Sequence, residues 1–592
     1  MLDAIKELGD CILDRENKDK LSILLEPLYK ANQKEPQLLT IEIDIIATPQ
    51  YLRISIEPYR TDKIGKYLYK RGSSRGANFS PTTQITNPSK TYQIKILGWF
   101  RDFEKIKDNF SKEDQSFIQT LHELLKEKEK EIVKDLEEKQ KETKISCVTL
   151  RFKKDNEWLY LGDLKVFKDF LLKKIFEKEA KIAGQNKICS LCKQRKSSVF
   201  LDSSIFKFFN IDKPGFITGG FIQEDAWHMF PLCPDCKLSL VEGKNFLQNL
   251  QFTFVKGMQY FLIPHFLLGK EQVREEVLDI LLDAQKRVTL SKESKKNITA
   301  DEEDILFYLK EAEDTISFYL LFLKKEQSAE RILLLIEDVL PSRLQTIFKA
   351  KYKVDKKFEP LDYNFDHCLR KFFFKTDEKN KRADLDKYFL EVIDKVFKDR
   401  TLSLSWLLQF FMHEIRKDFF KTYAQNDNYR FQNSVRYTLM NLDFFTNLGL
   451  LPIKSFKEEG MFVALYEKYQ LDSALKRGLF LLGALTELLL QIQRVKRDGS
   501  MPFFKQLKGL KMNESEIKGL LPKVINKFIE YESYGRGKRL LAEEASKNLL
   551  NSGSNWKITL DEINFYFAVG MALANEVKEI AENTGGGDER NS

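Results

Sequence analysis

Four cysteines in two C-x-x-C pairs are the most explicit local chemistry in this 592-residue chain. Cys189 and Cys192 frame CSLC, Cys233 and Cys236 frame CPDC, and forty residues lie between the pairs. Each pair closes a tight turn that aims two thiolates at one point. Two such turns supply four soft sulfur ligands, the donor set of a structural Zn2+ site. Two disulfides, or two unrelated redox turns, are the alternatives, and they suit an oxidising compartment better than this chain. A catalytic zinc keeps an open coordination position, whereas four cysteines fill the shell, so the expected role is a staple. Lys193, Arg195 and Lys196 follow the first pair and give the knuckle a basic rim. His228 is a substitute ligand by position only. A partly buried histidine is the expected role.

The elements that must hold this centre follow from hydrophobic periodicity. Residues 1–35 read as helix. Ile41, Ile43 and Ile45, then Leu52, Ile54 and Ile56, then Tyr92, Ile94 and Ile96 alternate with polar residues as half-buried strands do. Val148–Phe152 and Trp158–Leu161 add two strands, 103–143 reads as a charged, solvated helix or hairpin, and 163–183 as a helix. The expected fold is an α+β N-terminal domain (1–185) with an inserted four-cysteine zinc module (186–250). Mainly α-helical domains follow: a helical domain (251–448), in which FYLLFL and ILLLIEDVL read as helical, and a C-terminal helical bundle (461–582). Residues 583–592 form a disordered tail. Within the zinc module, Asp212–Asp225 reads as a packed hairpin, with a loop laid against a nucleic-acid strand as the alternative. Gly478, Gly483 and Ala484 among leucines let helices approach closely. Phe372, Phe373 and Phe374 read as core, as do His367, Cys368 and His413.

Charge placement points to a polyanion. The net charge is +9. Residues 60–95 carry eight Lys/Arg against the single acid Asp62, and 491–539 carry twelve against five, so each stretch is +7 on an otherwise slightly acidic chain. The first stretch includes the turn-rich segment Tyr69–Thr91. Here Lys70, Arg71, Arg75 and Lys90 are candidate phosphate contacts, and Asn78 has the side-chain chemistry to reach a base edge. A plain surface loop is the alternative. In the second stretch Arg494, Lys496, Arg497, Lys505, Lys508, Lys538 and Arg539 suit the backbone of a single strand.

No P-loop, H-E-x-x-H or G-x-S-x-G occurs, and Gly535-Arg536-Gly537-Lys538 lacks the spacing of a P-loop. Scattered carboxylates remain able to build a magnesium site, but a non-enzyme is the expectation. The apolar runs fall short of the ~20 residues a spanning helix needs, and MLDAIKELGD lacks the apolar core of a signal peptide. A cytoplasmic protein with no membrane contact is expected.

C-S-L-C…D-K-P-G-F…C-P-D-C at 189–236 and the terminal FLLGALTELLLQIQ, MPFFKQLKGLKM and EINFYFAVGMALA resemble the large subunit of type I-B CRISPR Cascade complexes. Residues 1–150 share only its general character. The resemblance implies a non-catalytic subunit of a crRNA-guided antiviral surveillance complex. Such a subunit helps recognise the protospacer-adjacent motif, open target double-stranded DNA into an R-loop, and hold the crRNA 5′ end. The implied partners are the Cascade backbone and crRNA-processing subunits and a recruited helicase-nuclease that cuts. It also implies a small subunit made from the C-terminal region by internal initiation, for which Met461 and Met440 are candidate starts. A stand-alone zinc-containing nuclease and a structural scaffold remain the competing readings.

Overall fold

The computed structural model describes residues 1–16, 20–29, 37–73, 75–143, 146–155, 157–176, 183–201, 205–206, 208, 215, 217, 222–249, 251–255, 258–267, 274–275, 277–279, 316–326, 329–376, 383–425, 429–452 and 460–585. The chain forms two compact units. One comprises Met1–Asn249 with Ile263–His265 and Lys325–Arg331, and the other comprises Leu250–Leu262, Phe266–Lys324 and Ile332–Ser592.

In the first unit, β1 (Gln37–Asp44) pairs antiparallel with β2 (Gln50–Pro58) and parallel with β4 (Ser146–Lys154). Short strands β3 (Thr83–Gln84) and β5 (Glu157–Tyr160) both run antiparallel to β4. Alternation sends Leu39, Ile41, Ile43, Val148, Leu150 and Phe152 to one face. There they meet Trp99, Phe100 and Phe103 of helix α2 (Leu97–Glu104), the hairpin α3 (Lys112–Glu127) and α4 (Glu129–Lys141), and Phe167 and Phe170 of α5 (Lys165–Ile175). The charged stretch 103–143 is therefore two helices with a buried stripe of Ile118, Leu121, Leu125, Ile132 and Leu136. Leu38, Cys147, Tyr59, Tyr67 and Tyr160 build a smaller core from the opposite parity.

Residues 92–96, expected as a strand, are helical. The Asn87 side chain caps the turn by accepting from the Lys90 amide at 2.9 Å, Pro88 occupies the first helical position, and the helix runs on through α2. Tyr92, Ile96, Trp99, Phe100 and Phe103 then share its buried face. Among the described residues of 1–35, Leu2–Arg15 (α1) is an α-helix, followed by a short turn of helix at Lys20–Leu24. The CPDC pair itself opens helix α6 (Pro234–Asn249). This helix packs against α1 so closely that a Cβ on Gly9 would lie 1.9 Å from the Ser239 carbonyl oxygen, and one on Gly243 2.0 Å from that of Ile5.

The region after 250 is not helical from its start. Strands β8 (Gln251–Val255), β9 (Met258–Phe266), β10 (Ile316–Glu326) and β11 (Ala329–Val339) form a sheet in the order β11-β10-β9-β8. FYLLFL and ILLLIEDVL thus lie in strands. Helices take over with α7 (Pro341–Lys357), α8 (Asp386–Phe397), α9 (Leu404–Gln425) and α10 (Arg430–Asn447). The terminal bundle is built on α11 (Ala474–Lys496), which packs against α12 (Leu520–Glu530), α13 (Arg536–Asn551), α14 (Leu560–Ala572) and α15 (Ala574–Gly585). With 23 residues α11 is long and apolar enough to cross a membrane by length and composition, yet its apolar window is 78% buried within the protein, as in a core helix. A Cβ on Gly483 would lie 2.0 Å from the Phe567 carbonyl oxygen, and one on Gly570 1.8 Å from that of Phe480. Two opposed glycines let α11 and α14 cross at backbone contact, as the small residues of α11 predicted. Residues 586–592 of the expected tail, and most of the expected hairpin at 212–225, lie outside the described residues.

Candidate metal centre and nucleic-acid surfaces

The hairpin of β6 (Gly184–Ile188) and β7 (Arg195–Val199) carries the first cysteine pair on its turn. The Cys189 amide donates to the Gln194 carbonyl at 3.0 Å and the Lys193 amide to the Cys189 carbonyl at 3.0 Å. Lys193 takes a left-handed conformation (φ 57°) to close that turn. Phe200 and Leu232 exchange two backbone hydrogen bonds of 2.9 Å, which fix the second pair opposite the first. Val199 and Trp227 cover the cluster. Trp227 fits because Gly184 has no Cβ, which would sit 2.6 Å from the indole.

Within this frame the four Sγ atoms of Cys189, Cys192, Cys233 and Cys236 all lie within 4.8 Å of one another, and Cys192 and Cys233 are 4.0 Å apart. Tetrahedral zinc with bonds of about 2.3 Å requires sulfurs roughly 3.8 Å apart, so the cluster fits the ion with little movement. The Cys233 amide donates to Cys189 Sγ at 3.3 Å, which ties the two pairs together. The Cys233 thiol is pulled down to about 5, chiefly by the hydrogen bond from Cys236, while Cys236 and Cys192 are pushed up. One thiolate is welcome and the next are opposed, until a cation compensates them. All four cysteines are free thiols rather than disulfides. The centre is a four-cysteine structural metal site suited to zinc. His228 is exposed rather than partly buried, tilted against Trp227 with ring centroids 3.7 Å apart, and outside the cluster.

The basic rim is present. Lys193 and Arg195 are exposed, and Lys196 is half-exposed with its Nζ 3.7 Å from Asp235. The Cys233 thiolate raises the Lys196 ammonium. Lys187, absent from the sequence reading, joins them. It faces Lys196 directly across the hairpin and lies 5.6 Å from the Trp227 ring. Its place two residues before Cys189, on the polar side of a hairpin, was the available signal.

The described residues of 69–91 are a loop that leads into β3 and then into the helical turn at Pro88–Thr91. Asn78, a candidate for reading bases, is only 2% exposed. Its Oδ1 accepts from the Gly72 amide at 3.1 Å and its Nδ2 donates to the Thr82 carbonyl at 2.9 Å, so both ends of the amide hold the loop's own backbone. Lys70 is likewise turned inward, donating to the Leu24 carbonyl at 3.0 Å, and burial lowers its ammonium. Lys95 reaches up from the helix to donate to the Ser73 carbonyl at 3.0 Å. Burial, then the charge of Arg71, lowers Lys95. Arg71, Arg75 and Lys90 are exposed.

In the bundle, the Lys496 ammonium donates to the Tyr531 carbonyl at 2.6 Å, and the Arg539 Nε to the Tyr534 carbonyl at 3.1 Å. The end of α11 and the start of α13 therefore meet at one end of the bundle, with Arg497 exposed beside them. The Phe503 amide donates to Gln493 Oε1 at 3.0 Å, which draws the segment bearing the exposed Lys505 to the same helix end. Lys508 is exposed but paired with Glu516. Lys538 is half-buried, 5.7 Å from the Phe528 ring. Arg494 turns inward, 5.9 Å from the Tyr423 ring. His367 and His413, expected in the core, are exposed, whereas Cys368 is fully buried.

Three family descriptions match the chain in succession, and all three are of a CRISPR-associated protein. Its N-terminal domain matches residues 1–173, its central domain 186–339, which contains all four cysteines, and its C-terminal domain 364–584. The chain belongs to the family of CRISPR-associated protein TM1802 (cas_TM1802). No curated protein shows significant similarity to it.

Proposed function

We propose that this chain is the non-catalytic large subunit of a type I-B Cascade surveillance complex in the cytoplasm, bound to crRNA and to target DNA. The observation that carries the reading is the family match over all three parts of the chain. A metal centre whose four sulfur donors leave no place for substrate is consistent with a subunit that binds rather than cuts. Arg71 and Arg75 on the pinned loop, with Lys90 and the rim residues Lys193, Arg195 and Lys196, contact the duplex near the protospacer-adjacent motif and the guide's 5′ end. Asn78 and Lys70 shape that loop from inside. Lys496, Arg497, Lys505 and Arg539 track a strand after the duplex opens. The terminal bundle is also made separately as the small subunit, starting at Met461. A helicase-nuclease recruited by the complex performs cleavage.

Affinity purification of the tagged chain from cells expressing the neighbouring subunits and a CRISPR array tests this directly. The expected result is co-purification with crRNA and backbone subunits, and motif-dependent binding of duplex DNA. Magnesium-dependent cleavage of DNA or RNA by the isolated chain, or its recovery without guide RNA, would overturn the reading.

A further inference from the structure

A second basic feature lies in the helical part of the second unit, far in sequence from both charged stretches. A pocket of about 390 Å3 is lined by six cations and three carboxylates between Asp366 and Arg430. Two cations are engaged inside it: Lys371 with Asp418 at 2.8 Å and Lys417 with Glu414 at 2.9 Å. Arg370 is engaged with Asp386 just outside the lining, and with Lys375, Lys421 and Arg430 it completes the six cations, so the lining itself is formally +3. Arg370 is nine-tenths buried, and its Nε has no hydrogen-bond partner among the described residues. A buried guanidinium N–H with no acceptor is costly unless an incoming acceptor uses it.

The wall includes an aromatic ring that ought to be buried. Phe372 and Phe373 are in the core, but Phe374 is 44% exposed, with the Arg370 guanidinium 5.0 Å and the Lys375 ammonium 5.4 Å from its centroid. Phe420, 60% exposed, lies on α9 between the pocket residues Lys417 and Lys421. Cations around an exposed π-face serve a ligand that is both anionic and planar. A phosphate with its base meets both demands, whereas an acidic peptide uses only the charge.

We propose that this pocket binds the phosphodiester backbone of a single nucleic-acid strand and that Phe374 stacks one of its bases. The proposal rests on the reading of the chain as a nucleic-acid-binding subunit and adds a site outside the two charged stretches. Fluorescence anisotropy of the full chain with short dT and rU strands, at several salt concentrations, tests it and separates DNA from RNA as the source. Combined Lys375→Ala, Lys421→Ala and Arg430→Ala substitutions should reduce the salt slope by about 2, at roughly 0.7 per lost contact. Phe374→Ala should weaken binding about fivefold or more with the slope unchanged. Photo-crosslinking of an iodouracil-substituted strand to the unaltered chain needs no variant to fold, and should label Phe374 or Phe420. Unchanged slope and affinity in the folded variants, crosslinks elsewhere only, no strand binding by the parent, or equal displacement by polyglutamate would each overturn the pocket assignment. Co-purification with crRNA tests the parent reading separately, so a failed pocket with an intact complex refutes this site alone.

Discussion

Glu487 lies on α11 at the centre of the terminal bundle, 6% exposed, where the Tyr423 hydroxyl of α9 donates to its Oε2. Arg494 is the cation facing it, and Gln491 donates to Oε1 at 3.5 Å. Burial outweighs these partners and pushes the carboxyl up to about 7 from its ordinary 4.5. The folded state therefore holds the proton more tightly than the unfolded chain. The associated stability is fully present below pH ~4.5, declines as pH rises, and is gone above pH ~7. At about 1.4 kcal/mol per pKa unit, the loss across that window is about 3 kcal/mol. Glu487→Gln keeps an acceptor for Tyr423 and cannot ionise. It should match the parent near pH 4 and exceed it near pH 8 by up to about 3 kcal/mol, less the lost attraction to Arg494. For the second compact unit, unfolding at about 2.1 cal/mol/K per residue, that is a Tm increase of about 4 °C at the higher pH. Thermal melting of both proteins at the two pH values, with hydrogen exchange of α11 peptides to locate the effect, reads it out. Equal melting of parent and variant at pH 8, or an equal gain at both pH values, would refute the buried-carboxyl reasoning.

Three further outcomes are expected. Cys233→Ser should abolish stoichiometric zinc and open the β6–β7 hairpin to proteolysis, and parental zinc content by elemental analysis would contradict the four-sulfur site. Neutralising Arg71 and Arg75 should weaken DNA binding by the assembled complex in a motif-dependent way. Neutralising Lys496, Arg497 and Arg539 should weaken it for every motif and lower the salt slope by about one per contact, and the two variants would behave alike if the assignment to separate surfaces is wrong. An in-frame substitution of Met461 should remove a small C-terminal product from immunoblots while Met440→Leu leaves it, because Met440 is buried within α10 and a start there would split that helix.

The metal centre was legible because C-x-x-C spacing encodes geometry directly: two turns, one focus, four like donors. The two element errors have different causes. FYLLFL and the ILLLI that opens ILLLIEDVL are short apolar runs, and the periodicity of such a run does not tell a strand from a helix. Tyr92, Ile94 and Ile96 did show period two, yet Asn87-Pro88 ahead of them is a cap followed by proline at the first helical position, and that start signal outweighed three alternating residues. The second error was therefore avoidable from sequence, and the first was not.

The surfaces were less legible, for a reason common to both. A Gly- and Asn-rich basic loop has the same composition whether it presents its side chains or spends them on its own backbone. Asn78 and Lys70 are spent inward and Arg71 and Arg75 are not, a division set by the close approach of Gly72 to Ala77, whose carbonyl oxygen would lie 2.1 Å from a Cβ. The pocket around Phe374 assembles residues from three separate segments, so no local pattern announces it, and the run Phe372-Phe373-Phe374 reads as uniform core. Only the third ring faces outward, because the helical turn at Arg370–Phe373 ends there. Charge counted along the chain locates stretches that are basic in sequence. A site whose cations converge from separate segments has to be read from the fold.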